Sequence, residues 1–171
     1  PGPRHVPMKY LEVSNPSTPE FRKLRFVAKS SNLYADFFGF LEGSGASLAV
    51  KLDGTSQCFF LPPGGFWSPR GSGNGYMYRD SAGLYGPVKA LSVRRSTRGL
   101  FKIKGLALGR LGTLMLVPPG AQGDVRLSLL STGATYCAGT AGGQVVKNDA
   151  KAFNVKDAPA PAACGAFSCS P

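Results

Sequence analysis

Residues 88–104, VKALSVRRSTRGLFKIK, contain a pattern that is typical of a β-hairpin. Val88–Val93 and Leu100–Lys104 are short runs with apolar side chains, and the turn-forming residues Ser96–Gly99 lie between them. In the second run apolar residues alternate with lysines, and a period of two is typical of a strand with one buried face. The stretch therefore predicts two antiparallel strands joined by a short turn.

The same alternation recurs along most of the chain. It is clearest in Leu24–Ala28, Leu48–Leu52 and Val125–Leu129. Glycine and proline clusters separate these runs, and only Lys147–Phe153 favours a short helical piece. Many short strands with regularly spaced turns predict an all-β sandwich, immunoglobulin-like or jelly-roll-like. A chain of 171 residues is large enough for one such core.

The sequence predicts three segments. Residues 1–20 contain five prolines and are expected to form an extended arm, in which Val6–Val13 could pair as an edge strand. Residues 21–157 are expected to form the sandwich, and residues 158–171 a tail held by disulfides. The arm could pack on its own domain or contact a neighbouring subunit through its larger side chains, which are Val6, Met8, Tyr10, Leu11 and Val13.

Four cysteines, Cys58, Cys137, Cys164 and Cys169, predict a disulfide-bonded protein of an oxidising compartment. Three pairings are possible, and we favour Cys137 with Cys164, which leaves Cys58 with Cys169. A zinc site is not favoured because His5 is the single histidine. The start at Pro1 suggests a mature, processed chain, and no apolar run is long enough to predict a membrane span.

The chain carries a net charge of +11, and its basic residues are unevenly placed. No carboxylate occurs between Asp80 and Asp124, so the hairpin predicted above is strongly basic. A solvated sheet face or an anion-binding surface would both explain this charge. Nucleic acid is a less favoured partner because no aromatic platform accompanies the basic residues. The candidate anion-binding residues are Lys89, Arg94, Arg95, Arg98, Lys102 and Lys104.

Catalytic chemistry is not predicted, and no cofactor is expected. His5 lies among prolines, and the nine acidic residues are scattered, so no base or carboxylate pair is indicated. A calcium ion held by Asp149 and Asp157 is the one metal site left open. The only tryptophan, Trp67, follows the turn Pro62–Gly65 and could be a core anchor or a ligand-facing side chain.

Several of these segments together resemble a family of uncharacterised secreted, β-rich proteins of Deltaproteobacteria and myxobacteria. The similar segments are Arg22–Lys29, Leu61–Trp67, Gly75–Asp80 with Gly86–Lys89, Phe101–Gly105, and the closing segment from Tyr136 to Cys164. The resemblance covers about residues 15–164 and implies secretion and a β-fold, without an activity, cofactor or substrate. Because some relatives carry cysteines at positions matching Val88 and Ile103, it also implies that these two residues are cross-strand neighbours.

Two functions follow as hypotheses for a secreted bacterial protein located outside the cell or on its surface. The first is a structural subunit of an extracellular filament, coat or surface layer, whose N-terminal arm contacts another copy of the chain. The alternative is a monomeric module that binds anionic cell-surface polysaccharide through the basic hairpin. A more distant alternative is a viral jelly-roll coat protein, although such proteins usually have a more basic arm.

Overall fold

The computed structural model of the protein describes residues 2–35, 38–72 and 74–167. These residues form thirteen strands, one turn of 3₁₀ helix at Pro19–Phe21 and one short helix, α1, at Leu41–Ser44. The strands are β1 (Arg4–His5), β2 (Met8–Ser14), β3 (Lys23–Ser30), β4 (Ala46–Leu52), β5 (Thr55–Leu61), β6 (Trp67–Pro69), β7 (Gly75–Arg79), β8 (Val88–Arg95), β9 (Phe101–Leu108), β10 (Gly123–Leu129), β11 (Thr135–Gly139), β12 (Gln144–Asp149) and β13 (Ala152–Ala158).

The strands form two sheets that pack face to face, which confirms the predicted β-sandwich. One sheet has five strands in the order β1-β11-β10-β4-β5, and the other has eight in the order β12-β13-β2-β3-β9-β8-β7-β6. One hydrophobic cluster contains buried side chains of both sheets. Phe101 of the larger sheet stacks on Tyr136 of the smaller one with 4.4 Å between ring centroids. Such aromatic contacts stabilise the sandwich in addition to the stabilisation that comes from burying apolar surface.

The predicted hairpin is formed by β8 and β9, and its register corrects one detail. Val93 lies opposite Ile103, whereas Val88 lies opposite Ala107. Val88 and Ile103 are therefore not cross-strand neighbours, which is where the resemblance misled. The reason is the length of the hairpin, since β8 runs on to Arg95 and β9 to Leu108, so Val88 pairs with the far end of β9.

The N-terminal segment is not an arm, and the stretch predicted as an edge strand lies mostly in β2, which is not at an edge. β2 lies inside the larger sheet, where it pairs with β13 on one side and β3 on the other. Of the residues predicted to contact a neighbouring subunit, four are buried in the chain's own core: Val6, Met8, Leu11 and Val13. The fifth, Tyr10, lies beneath the guanidinium of Arg25. The prolines misled the prediction because a proline between two strands does not prevent pairing: Pro7 lies between β1 and β2, and its carbonyl accepts a hydrogen bond from the Lys29 N–H.

The segment Lys147–Phe153 is not helical: it contains the end of β12, a turn of two residues and the start of β13. A carboxylate oxygen of Asp149 accepts the backbone N–H groups of Lys151, at 2.8 Å, and Ala152, at 3.0 Å. The bond from Lys151 is the main reason that the pKa of Asp149 is lowered. Asp157 lies near the other end of β13 and pairs with Lys9, so the structure does not bring the two candidate calcium ligands together.

The predicted Cys137–Cys164 disulfide is confirmed, with 5.5 Å between the Cα atoms. It fastens the tail to β11, and a bridge of this kind typically stabilises a fold by about 2–4 kcal/mol. Beyond it, the Lys51 ammonium donates to the carbonyl of Ala166 over the outer face of the smaller sheet. Cys58 is exposed on β5 and is not a free thiol. Its predicted partner, Cys169, lies outside the described residues.

Trp67 is a core anchor. Its side chain is buried, its indole N–H donates to the carbonyl of Pro62 at 3.0 Å, and its ring packs on Tyr78 at 5.2 Å. The ring is thus not available to a ligand. The turn before it directs Trp67 inward and joins it to an aromatic cluster at the β6–β7 end of the larger sheet.

The buried Tyr78 predicts a loss of stability in alkali. Burial, and next the carboxylate of Asp80, raise the pKa of Tyr78 to about 12, against about 10 for an unfolded tyrosine. Between these two values the unfolded chain releases a proton that the folded chain keeps, so the free energy of unfolding should fall as pH rises from about 10 to about 12. Urea titrations of the wild type and of Tyr78→Phe should show a smaller fall in the variant. The exposed Tyr34→Phe serves as control, and equal slopes in all three proteins would refute the assignment.

Candidate anion-binding groove

The outer face of the larger sheet carries the candidate site, and strand alternation positions its side chains. Val93 and Ile103 point into the core, so their neighbours Ser92, Arg94 and Lys102 point outward. The paired register then aligns these outward residues in rows that cross β7, β8 and β9. In the central row Met77, Ser92 and Lys104 lie side by side. The positions of the site residues therefore follow from the pairing of three neighbouring strands.

A shallow groove runs along β8 because its outward side chains are small. Ala90 and Ser92 lie between the longer side chains of β7 and β9, and two adjoining depressions of about 360 and 460 Å³ share Met77, Ser92 and Lys104. From Lys89 to Arg94 the groove is about 16 Å long at the usual strand rise. We call it the basic groove and define it by its six cationic residues, which are Arg70, Arg79, Lys89, Arg94, Lys102 and Lys104.

The positive charge of the basic groove is not neutralised within the part of the chain that the structure describes. No acidic side chain lines either depression, and none of the six cationic residues makes an ion pair there. Lys29 of β3 extends the charge, since it lies opposite Lys102, which lies opposite Arg94. Cross-strand neighbours of like charge destabilise a sheet. The charges of this row therefore cost stability.

The neighbouring half of the same face shows the opposite arrangement. The carboxylate of Glu12 on β2 accepts a hydrogen bond from the guanidinium of Arg25, with 2.8 Å between nitrogen and oxygen. Its other oxygen lies 3.3 Å from the ammonium nitrogen of Lys23. The guanidinium of Arg25 also lies over the ring of Tyr10, 5.2 Å from its centre. The cations of β3 near Glu12 are thus compensated by a carboxylate and an aromatic ring. Among the described residues of this face, cations without an acidic partner cluster on β7, β8 and β9, around the groove.

Four of the six predicted anion-binding residues, Lys89, Arg94, Lys102 and Lys104, line the groove. Arg95 does not, because it points inward, donates to the carbonyl of Ala35 at 2.9 Å and packs its guanidinium over a core phenylalanine. Arg98 is exposed in the β8–β9 turn and does not line the groove.

Two groove residues were missed by the sequence prediction. Arg79 alternates with Met77 along β7, and this period of two was a usable signal. Arg70 follows β6, and its backbone N–H donates a hydrogen bond to the carbonyl of Gly75. Arg70 therefore reaches the groove only because β6 pairs with β7. No local pattern could have indicated that position.

The described residues contain no group of three or more histidine, cysteine or acidic side chains arranged to hold a metal ion. None of the helices in that part of the chain is long and apolar enough to span a bilayer. His5 pairs with Cys137 at the edge of the smaller sheet, away from the groove-lining residues.

Comparison of the chain with family models, with curated proteins and with solved structures gives no match. The resemblance to secreted myxobacterial proteins consequently stays a prediction. Function must be inferred from the chemistry of the groove.

Proposed function

We propose that this protein acts outside the cell and binds anionic polysaccharide of a cell surface through the basic groove. The observation that carries the proposal is a cluster of six cationic side chains, none with an acidic partner among the described residues, around a floor made of Ala90 and Ser92. Such a surface attracts anions and raises their local concentration. The Cys137–Cys164 disulfide supports an oxidising, extracellular setting.

The shape of the groove supports a linear polymer over a small anion. The cations lie along both sides and at both ends of a channel about 16 Å long, so a single small anion would meet only part of them. An extended chain with repeated negative charges would meet most of them together. Aliphatic groups of Met77, Ala90 and Leu106 lie between the charges and suit the C–H surface of a sugar ring.

The groove lining argues against single-stranded nucleic acid as the partner. Proteins that bind single strands combine positive charge with aromatic rings on which bases stack. The residues that line the two depressions include no phenylalanine, tyrosine or tryptophan. A polymer without bases is the better match to this surface.

Assembly through the N-terminal arm is not proposed, because the structure uses that segment inside the larger sheet. Val6, Met8 and Leu11 are fully buried within their own chain. Strand addition to a neighbour would require removing β2 from between β3 and β13. A viral coat role has no specific support in the described residues.

Filling the groove without changing its charge tests the proposal. Ser92→Tyr places a large ring on the groove floor, and we expect binding of heparin or polygalacturonate to weaken by at least about tenfold. The matched control is Ser128→Tyr, an equally polar position on the outer face of the smaller sheet. Titration calorimetry with neutral dextran as a blank measures both. Unchanged affinity in Ser92→Tyr would show that diffuse charge, and not the groove, binds the polymer.

A further inference from the structure

Three of the four sheet edges in the described residues carry features that prevent pairing with another chain. β1 has two residues, and β6 has three and ends in Pro69. β12 carries Lys147 and Asp149, and its register with β13 shifts between Val145 and Lys147. Short strands, proline, charge and irregular register are the usual protections of an edge strand. These three edges are poor templates for a further strand.

The fourth edge, β5, has none of these protections. Its seven residues, TSQCFFL, contain no charge and no proline, and its register with β4 is uninterrupted from Thr55 to Leu61. Within the described residues β5 pairs with β4 alone. A long, regular and uncharged edge strand presents backbone N–H and C=O groups that favour pairing with another strand.

Apolar side chains next to this edge are exposed. Phe60, on the outer face of β5, is 54% exposed, and Met115 is 53% exposed. The segment around Met115 lies beside β5 because the Gln57 side chain accepts from the Met115 N–H and donates to the carbonyl of Thr113. A strand added at β5 would therefore cover apolar surface in addition to forming backbone bonds.

We propose that β5 pairs antiparallel with β5 of a second copy of this chain, joining the two smaller sheets across a two-fold axis. An edge strand is self-complementary in this arrangement, as a two-fold interface requires. Charge favours β5 as the meeting point, because two chains of +11 repel each other and β5 is a long edge without charge. The pairing uses backbone groups and apolar flanks, and Cys58, which is not a free thiol, keeps its own partner.

This self-association is independent of the proposed function, because the basic groove lies on the other sheet. The two proposals therefore fail or stand separately. A second copy is distinguished from a different protein partner by the behaviour of the purified chain, which would stay monomeric if its partner were another protein.

Sedimentation velocity of the purified, non-reduced protein up to about 1 mM tests the pairing. We expect a dimer that Phe60→Lys converts to monomer, with the dissociation constant rising at least tenfold. Phe21→Lys makes the same change at a phenylalanine that is 72% exposed in the 3₁₀ turn, and it should leave the dimer intact. A wild-type monomer throughout this range, or equal loss of dimer in both variants, would overturn the proposal.

Hydrogen exchange separates strand pairing from contact between apolar patches. Backbone pairing should slow the exchange of amides within residues 55–61 as the protein concentration rises through the dimer transition. Residues of β12, at the far edge of the larger sheet, should exchange at the same rate at every concentration. A dimer without added protection in β5 would also overturn the proposal.

Discussion

Deleting residues 1–14 is expected to leave the chain unfolded. The deletion removes β1 and β2 and leaves both β3 and β13 without the strand that joins them in the larger sheet. It also removes the buried side chains of Val6, Met8, Leu11 and Val13, and each is worth about 1.5–3 kcal/mol when fully buried. Together these losses approach the whole free energy of unfolding of a typical domain, about 5–15 kcal/mol. Circular dichroism and the dispersion of amide proton resonances would measure the outcome.

A point substitution tests the same conclusion without cutting the chain. Leu11→Ala is expected to lower the free energy of unfolding by about 2–5 kcal/mol, since the side chain is fully enclosed between the sheets. Lys9→Ala, on an exposed side chain of the same strand, should change it by less than about 0.5 kcal/mol. A truncated chain that stays folded and resists urea like the wild type would restore the view of the segment as a dispensable arm.

The strands that the sequence predicted well are those whose information is local. Alternation in Leu24–Ala28, Leu48–Leu52 and Val125–Leu129 corresponds to β3, β4 and β10, and the basic hairpin corresponds to β8 and β9. In each, one buried face is sufficient to produce the period of two. Pairing partners are a non-local property, so the position of β2 between β3 and β13 could not be derived from its own residues.

Two errors had a signal in the sequence that was given too little weight. The prediction of an extended arm gave more weight to the prolines than to the apolar residues Met8, Leu11 and Val13. Prolines that lie between strands do not interrupt a sheet. Arg95 was grouped with Arg94, yet alternation from Val93 places Arg95 on the buried face. Its long side chain reaches the carbonyl of Ala35, which offers the acceptor that a half-buried guanidinium needs.

The groove was predictable in charge but not in shape. The basic residues of the hairpin were visible, whereas the channel exists because Ala90 and Ser92 lie between β7 and β9. Which cations lie near Glu12 also depends on strand pairing, since Glu12 neutralises Arg25 from the adjacent strand β2. Charge compensation across strands cannot be assigned until the strand order is known.

Neutralising two groove cations is expected to have the largest effect on polymer binding. In the double variant Arg94→Gln with Lys102→Gln, the two charges removed lie directly opposite each other on β8 and β9. Affinity for heparin at low salt should fall by about ten- to a hundredfold. Each cation that contacts the polymer releases counterions bound to it, and this release favours binding, so removing the cation removes that contribution. The variant should fold normally, and its stability should rise slightly, since a like-charged cross-strand pair has been removed.

The salt dependence distinguishes site-specific contacts from net charge. A plot of log affinity against log salt should lose about one unit of slope for each cation that contacts the polymer, hence about two units in this double variant. Lys147→Gln with Lys151→Gln removes the same net charge at the β12–β13 hairpin, on the opposite edge of the larger sheet. That control should keep the wild-type slope, because its lysines lie outside the groove. If both double variants lost slope equally, the polymer would be responding to the overall charge of +11, and the basic groove would have no specific role in binding.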